Sequence, residues 1–139
     1  MGNATGGHTI GVGLCNFFSK RLYNFTGKGD MDPSLDKSYA EELKTKCTSL
    51  ADNTTTVPMD RGSSLNFDRH YYSTLESNRG LFQSHAALLT DSTSKSIAEK
   101  QLEGDNFIQN FKISIQRMGS IGVLTGSAGE IRKRCAFVN

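Results

Sequence analysis

The sequence predicts a mainly α domain of short helices joined by long loops. Apolar residues recur at three- and four-residue spacing in several separate stretches. Acidic residues stand just ahead of those stretches, where a carboxylate can cap a helix. Glycines and Pro58 fall between them. At 139 residues the chain has room for one domain with a sizeable core.

Residues 1–14 are glycine-rich and read as irregular or strand-like. A short helix is expected over Phe17–Leu22, ending before Gly27, with a turn from Thr26 to Met31. Asp32 then reads as the cap of a helix whose first residue is Pro33, where a missing N–H does no harm. Leu35, Tyr39, Leu43 and Cys47 share one face of it. Asp30, Asp32, Ser34 and Glu41 imitate a calcium-binding helix–loop–helix, but Leu35 stands where that loop requires glycine. Residues 48–66 form the longest irregular stretch. A helix follows from Phe67 to Ser77, with Phe67, Tyr71 and Leu75 on one face and Gly80 ending it. Phe82 to Leu89 supplies another turn or two. Asp91 can cap a segment carrying Ile97, Ala98 and Leu102. Asp105 reads as the cap of the longest amphipathic helix, with Phe107, Phe111, Ile115 and Met118 aligned before Gly119. Residues 129–135 read as a final helical turn.

The net charge of +2 calls for no nucleic-acid partner, and Arg132-Lys133-Arg134 reads as a solvated helix face. No apolar run is long enough to span a bilayer. The opening residues lack the basic start and apolar stretch of a signal peptide, and Gly6 stands where myristoylation needs Ser or Thr. Yet sequons occur at Asn3, Asn24 and Asn53, which suits a secreted protein. The cysteines, Cys15, Cys47 and Cys135, fit no zinc spacing. In an oxidising compartment they imply one pair and one orphan whose partner can lie outside this chain. A secreted-looking interior with no leader suggests part of a longer protein.

The stretch Thr5-Gly6-Gly7-His8-Thr9-Ile10-Gly11 places a histidine among residues with little side chain, where a flat ligand can approach closely. Taken with Arg21-Leu22-Tyr23-Asn24-Phe25, Asp32-Pro33, Phe67-Asp68 before Tyr71-Tyr72, Arg79-Gly80-Leu81-Phe82-Gln83-Ser84, and Gly129-Glu130-Ile131-Arg132 followed by Cys135, it resembles plant secretory (class III) haem peroxidases. The likeness runs in order over nearly the whole chain. It covers the C-terminal, proximal half of that family's domain, so 1–139 is expected to be a partial haem-peroxidase domain with the proximal half of the plant haem-peroxidase fold.

The resemblance implies an enzyme that reduces hydrogen peroxide and oxidises phenolic donors through haem b. It places His8 on the axial haem ligand. Thr9, Asp60, Ser63 and Asp68 fall on the ligands of one proximal calcium ion, with Asn66 giving a backbone carbonyl. Such an ion would brace the loop that aims the imidazole. Cys15 and Cys47 fall on a family disulfide, and Cys135 on a cysteine whose family partner lies in the other half. Phe17 resembles an aromatic at the exposed haem edge where small phenols dock, with an ordinary core phenylalanine as the alternative. Localisation by family is extracellular or vacuolar.

Two departures from the family pattern change what is expected. The distal histidine and arginine belong to an Arg-x-x-Phe-His-Asp-Cys stretch that these residues do not contain, so the chain alone is expected to be inactive or very weak. His70, near Asp68 and expected to face solvent, is no substitute. His85 stands where the family has an aspartate hydrogen-bonded to the axial histidine. A neutral imidazole would accept that proton more weakly and raise the iron potential; a one-base change from the aspartate codon is the alternative. The rival functional reading is a truncated, non-catalytic secreted glycoprotein that binds calcium or haem. A third is an interaction module docking through apolar helix faces.

Overall fold

A computed structural model describes residues 4–139; the Asn3 sequon lies outside the described residues. The architecture is mainly α. Among the described residues six α-helices follow one another: α1 (Ser19–Tyr23), α2 (Lys37–Lys46), α3 (His70–Glu76), α4 (Gln83–Ala87), α5 (Ser92–Leu102) and α6 (Phe107–Met118). Short 3-10 stretches cover Ala4–Thr9, Cys15–Phe17 and Gly126–Ala128. Strands β1 (Val12–Leu14) and β2 (Thr56–Pro58) pair antiparallel, with Val12 opposite Pro58 and Leu14 opposite Thr56.

That small sheet sets the site. The backbone N–H of Cys15 donates to Thr55 O at 3.0 Å, and that of Met59 to Gly11 O at 3.1 Å, so the ladder extends past both strand ends. Residues 8 and 9 are thereby carried onto residues 59 and 60. The Cys15–Cys47 disulfide, with Cα atoms 5.5 Å apart and a sequence separation of 32, fastens the same corner to the end of α2. A loop of that length is stabilised by about 3–4 kcal/mol on a loop-closure argument, whose mechanism is model-dependent.

Two apolar clusters form the core. The first gathers Phe18, Leu22, Leu35, Leu43, Val57 and Leu81 around the disulfide. In the second, Tyr71, Tyr72 and Leu75 of α3 pack against Ala98 of α5 and Phe107 of α6. The expected face of α2 is buried, and Asp91 caps α5 as its spacing predicts, accepting Ser94 N–H at 2.7 Å.

Several expectations are corrected. Residues Ala4–Thr9 wind as a 3-10 helix rather than running irregular or extended. The helix expected from Pro33 begins at Lys37, capped by Asp36, whose carboxylate accepts Tyr39 N–H. Asp32 is taken instead by Arg21, at 2.7 Å in a buried pair. Part of the 48–66 stretch is strand β2. The helix expected from Phe67 begins at His70. Asp105 caps nothing, since α6 starts after Asn106 without a side-chain cap. Its apolar stripe buries only Phe107, leaving Ile115 and Met118 exposed. Residues 129–135 are not helical.

Candidate functional site

His8 and Thr9, neighbours at the end of the first 3-10 turn, face two different environments. Thr9 is fully buried, and its hydroxyl lies 3.0 Å from Asp60 Oδ2, 3.3 Å from Asp68 Oδ1 and 3.4 Å from the Asn66 carbonyl oxygen. Ser63 Oγ donates to the other Asp68 oxygen and receives a bond from Asn66 Nδ2. Asp60 is fully buried too; its Oδ1 accepts from Thr74 Oγ1 at 3.1 Å and pairs with His70 Nδ1 at 2.6 Å. His70 is therefore tied to the cluster while its side chain stays partly exposed, rather than merely facing solvent. Burial acts to raise the Asp68 carboxyl, but hydrogen bonds from Ser63, the His70 backbone and Thr9 outweigh it and hold it below its ordinary value. Thr9, Asp60, Ser63, Asn66 and Asp68, named from sequence, are thus joined in one hydrogen-bonded cluster. Among the described residues no three His, Cys, Asp or Glu side chains gather as a metal set. The cluster mixes carboxylates, hydroxyls and a carbonyl, the all-oxygen donor type that suits a hard cation.

The His8 side is built from nitrogen, sulfur and aromatic rings. His8 is half-buried, and burial lowers its pKa. Its Nδ1 lies 2.8 Å from the Met59 sulfur. The His85 ring stands edge-on at 4.7 Å between centroids, and Tyr71 and Phe82 flank both imidazoles. The hydrogen bond expected from His8 to His85 is not formed. His85 is 1% exposed, and neither ring nitrogen has a partner. Burial first, then the nearby His8 and Arg21 charges, push its pKa down to about 3, so the ring is neutral at ordinary pH. An unpartnered buried polar group costs about 1–3 kcal/mol. His8 offers a half-buried imidazole whose Nδ1 lies against the Met59 sulfur, a group type that can serve as an axial ligand.

The approach to His85 is held by a pairing that sequence reasoning missed. Arg21 binds Asp32 through Nε and donates from one terminal nitrogen to the carbonyls of Gly80 and Leu81, at 2.6 and 2.7 Å. Burial raises the Asp32 carboxyl, but bonds from Ser34 and Arg21 prevail and lower it. Gly80 has no room for a side chain; a Cβ there would lie 2.7 Å from His85 Cβ. Nothing in the local spacing of Arg21 or Met59 advertises either contact.

The family model described as peroxidase matches residues 5–104. The chain belongs to the peroxidase family. It is 51% identical over 137 residues to Peroxidase 56 of Arabidopsis thaliana, across 97% of this chain and 41% of that protein. Peroxidase 39 of the same plant is 51% identical over 138 residues, across 97% and 42%. Peroxidase 1 of Oryza sativa subsp. japonica is 47% identical over 139 residues, across 96% and 43%. The chain therefore spans about two fifths of the length of the curated relatives it matches.

The remaining positions named from sequence are dispersed. Phe17 is 69% exposed. Cys135 is exposed and unbridged. Asn53 is exposed, whereas the Asn24 side-chain oxygen accepts Gly29 N–H at 2.9 Å. Among the described residues no helix is long and apolar enough to cross a membrane.

Proposed function

We propose that this chain is the proximal haem- and calcium-holding half of a secreted peroxidase, residues 1–139 forming part of one haem-peroxidase domain. The observation carrying the reading is that an available imidazole and a hydrogen-bonded set of oxygens sit on consecutive residues, His8 and Thr9. His8 would bind the haem iron through Nε2. Thr9, Asp60, Ser63, Asp68 and the Asn66 carbonyl would hold one calcium ion, fixing the turn that aims His8. The chemistry a bound haem b supplies is reduction of hydrogen peroxide coupled to oxidation of small phenolic donors. The part of these residues is to orient the axial imidazole, to keep water from its rear face with Tyr71 and Phe82, and to present Phe17 as an exposed aromatic for a donor ring.

The 139 residues carry no counterpart of the distal histidine and arginine, so the proposal assigns them no acid–base residue. Catalysis then needs the remainder of a full-length relative. Secretion fits the sequons and the disulfide, with Asn53 the better-presented glycan site. Haem titration followed by absorbance tests the reading. A Soret band is expected that disappears in His8→Ala; no band, or one of equal strength in the variant, would remove His8 from the role.

A further inference from the structure

We propose that the cavity between α3 and α5 is a binding site for a small protonated amine with an apolar body. The cavity measures about 350 Å³, within the range of small-molecule sites, about 300–1,000 Å³. Its walls are largely apolar: Tyr72 of α3, Ala98 and Leu102 of α5, and Leu89 from the turn between α4 and α5. Ala98 is the smallest of these side chains and is buried, whereas Leu89 and Leu102 are only partly buried. An apolar body seated there would take leucine surface out of water, which is favourable in proportion to the area covered.

The charged side chains around the cavity select the sign of the ligand. Glu76, Lys95 and Glu99 line it and are exposed. Lys95 and Glu99, one helical turn apart on α5, pair loosely at 3.9 Å. Glu76, the last residue of α3, enters no ion pair among the described residues. Two carboxylates against one ammonium leave a net negative charge beside an apolar wall. An alkylammonium balances that charge and offers its N–H donors to Glu76, a charge-assisted bond. The smaller cavity of about 160 Å³ across α3 differs in this respect. Its cations are already matched, Arg61 by Glu42, Arg79 by Asp36 and His70 by Asp60. The α3–α5 site shares no residue with those named for haem or calcium, so it stands or falls apart from that reading.

The test compares phenethylamine, a cation at neutral pH, with phenethyl alcohol, an uncharged molecule of nearly the same shape. Each is titrated into the isotope-labelled 139-residue chain and followed by NMR. The amine should move the backbone resonances of Ala98 and Leu102 saturably. It should bind about 2- to 5-fold more tightly than the alcohol, the range of one exposed ion pair. Glu76→Gln, a change at an exposed side chain, should bring the two affinities together. Lys95→Ala, which releases Glu99, should widen the gap. Shifts that do not saturate at Ala98 and Leu102, or equal affinity for the two probes in the unmodified chain, would overturn the proposal. So would a gap left unchanged in either variant when that variant keeps the native backbone spectrum.

Discussion

The oxygen cluster on Thr9 and the imidazole pair on His8 are separated by one peptide bond and treated oppositely by the fold. Around Thr9, Asp60 uses both carboxylate oxygens, on Thr9, Thr74 and His70, and Asp68 uses both of its own. Around His8 the ring nitrogen Nδ1 meets a sulfur, and His85 is buried with neither nitrogen partnered among the described residues. Buried polar groups are nearly always satisfied, so an exception calls for an explanation. The contrast teaches that the Thr9 side is complete as structure, whereas the His85 side tolerates a cost. His85 occupies a place where an acceptor for His8 would be at home, yet supplies none.

Removing the Thr9 hydroxyl and removing the His85 imidazole should therefore act with opposite sign. The largest effect is expected where a buried charge would be stranded. Arg21→Met leaves Asp32 unpaired and frees the carbonyls of Gly80 and Leu81, the approach to His85. It should destabilise by about 3–5 kcal/mol in denaturant unfolding. A loss below about 1 kcal/mol would mean that water replaces Arg21 and that this anchor is dispensable.

Thr9→Val keeps the shape and removes the hydroxyl that faces Asp60, Asp68 and the Asn66 carbonyl. A cost of about 1–3 kcal/mol is expected in calcium-free buffer, read as a shift in the urea midpoint at constant slope. A neutral result would place the Thr9 side in the same class as the His85 side and erase the contrast.

The smallest effect at neutral pH, and the only favourable one, is expected for His85→Leu. Removing an unpartnered imidazole should leave stability unchanged or raise it by about 1 kcal/mol. Its pH dependence is the sharper reading. In the native state His85 stays neutral down to about 3, against an ordinary value of 6.5. Above the ordinary value its titration costs nothing. As pH falls below it, the unfolded chain takes up a proton that the native chain refuses, so stability declines towards pH 3. That part of the decline should vanish in His85→Leu, while a smaller slope from His8, also lowered by burial, remains. An identical pH profile in the variant would show His85 to be partnered in solution.

How much of this was legible in the sequence depends on the range of each interaction. The face of α2 and the Asp91 cap rest on neighbours three or four residues apart and could be read directly. Asp32 before Pro33 has the look of a helix start, but its carboxylate is claimed by Arg21 from eleven residues upstream, which no local pattern reveals. Thr56-Val57-Pro58 looks irregular because of its proline; at the end of a two-stranded edge that residue is tolerated. The oxygen cluster was found through resemblance to relatives, since Thr9 and Asp60 stand 51 residues apart. Met59 was missed because its meeting with His8 depends on the β1–β2 register. The apolar face of α6 was legible as a face, but periodicity does not say whether anything covers it.

The central claim is that the oxygen cluster steadies the turn that aims His8, so that a cation at one residue strengthens binding at the next. Haem affinity of the chain, measured by Soret titration in calcium and again in chelator, tests this most directly, with Thr9→Val as the uncoupled control. Tighter haem binding in calcium, with the difference lost in Thr9→Val, is the predicted result. Equal affinity with and without calcium in the unmodified chain would contradict it.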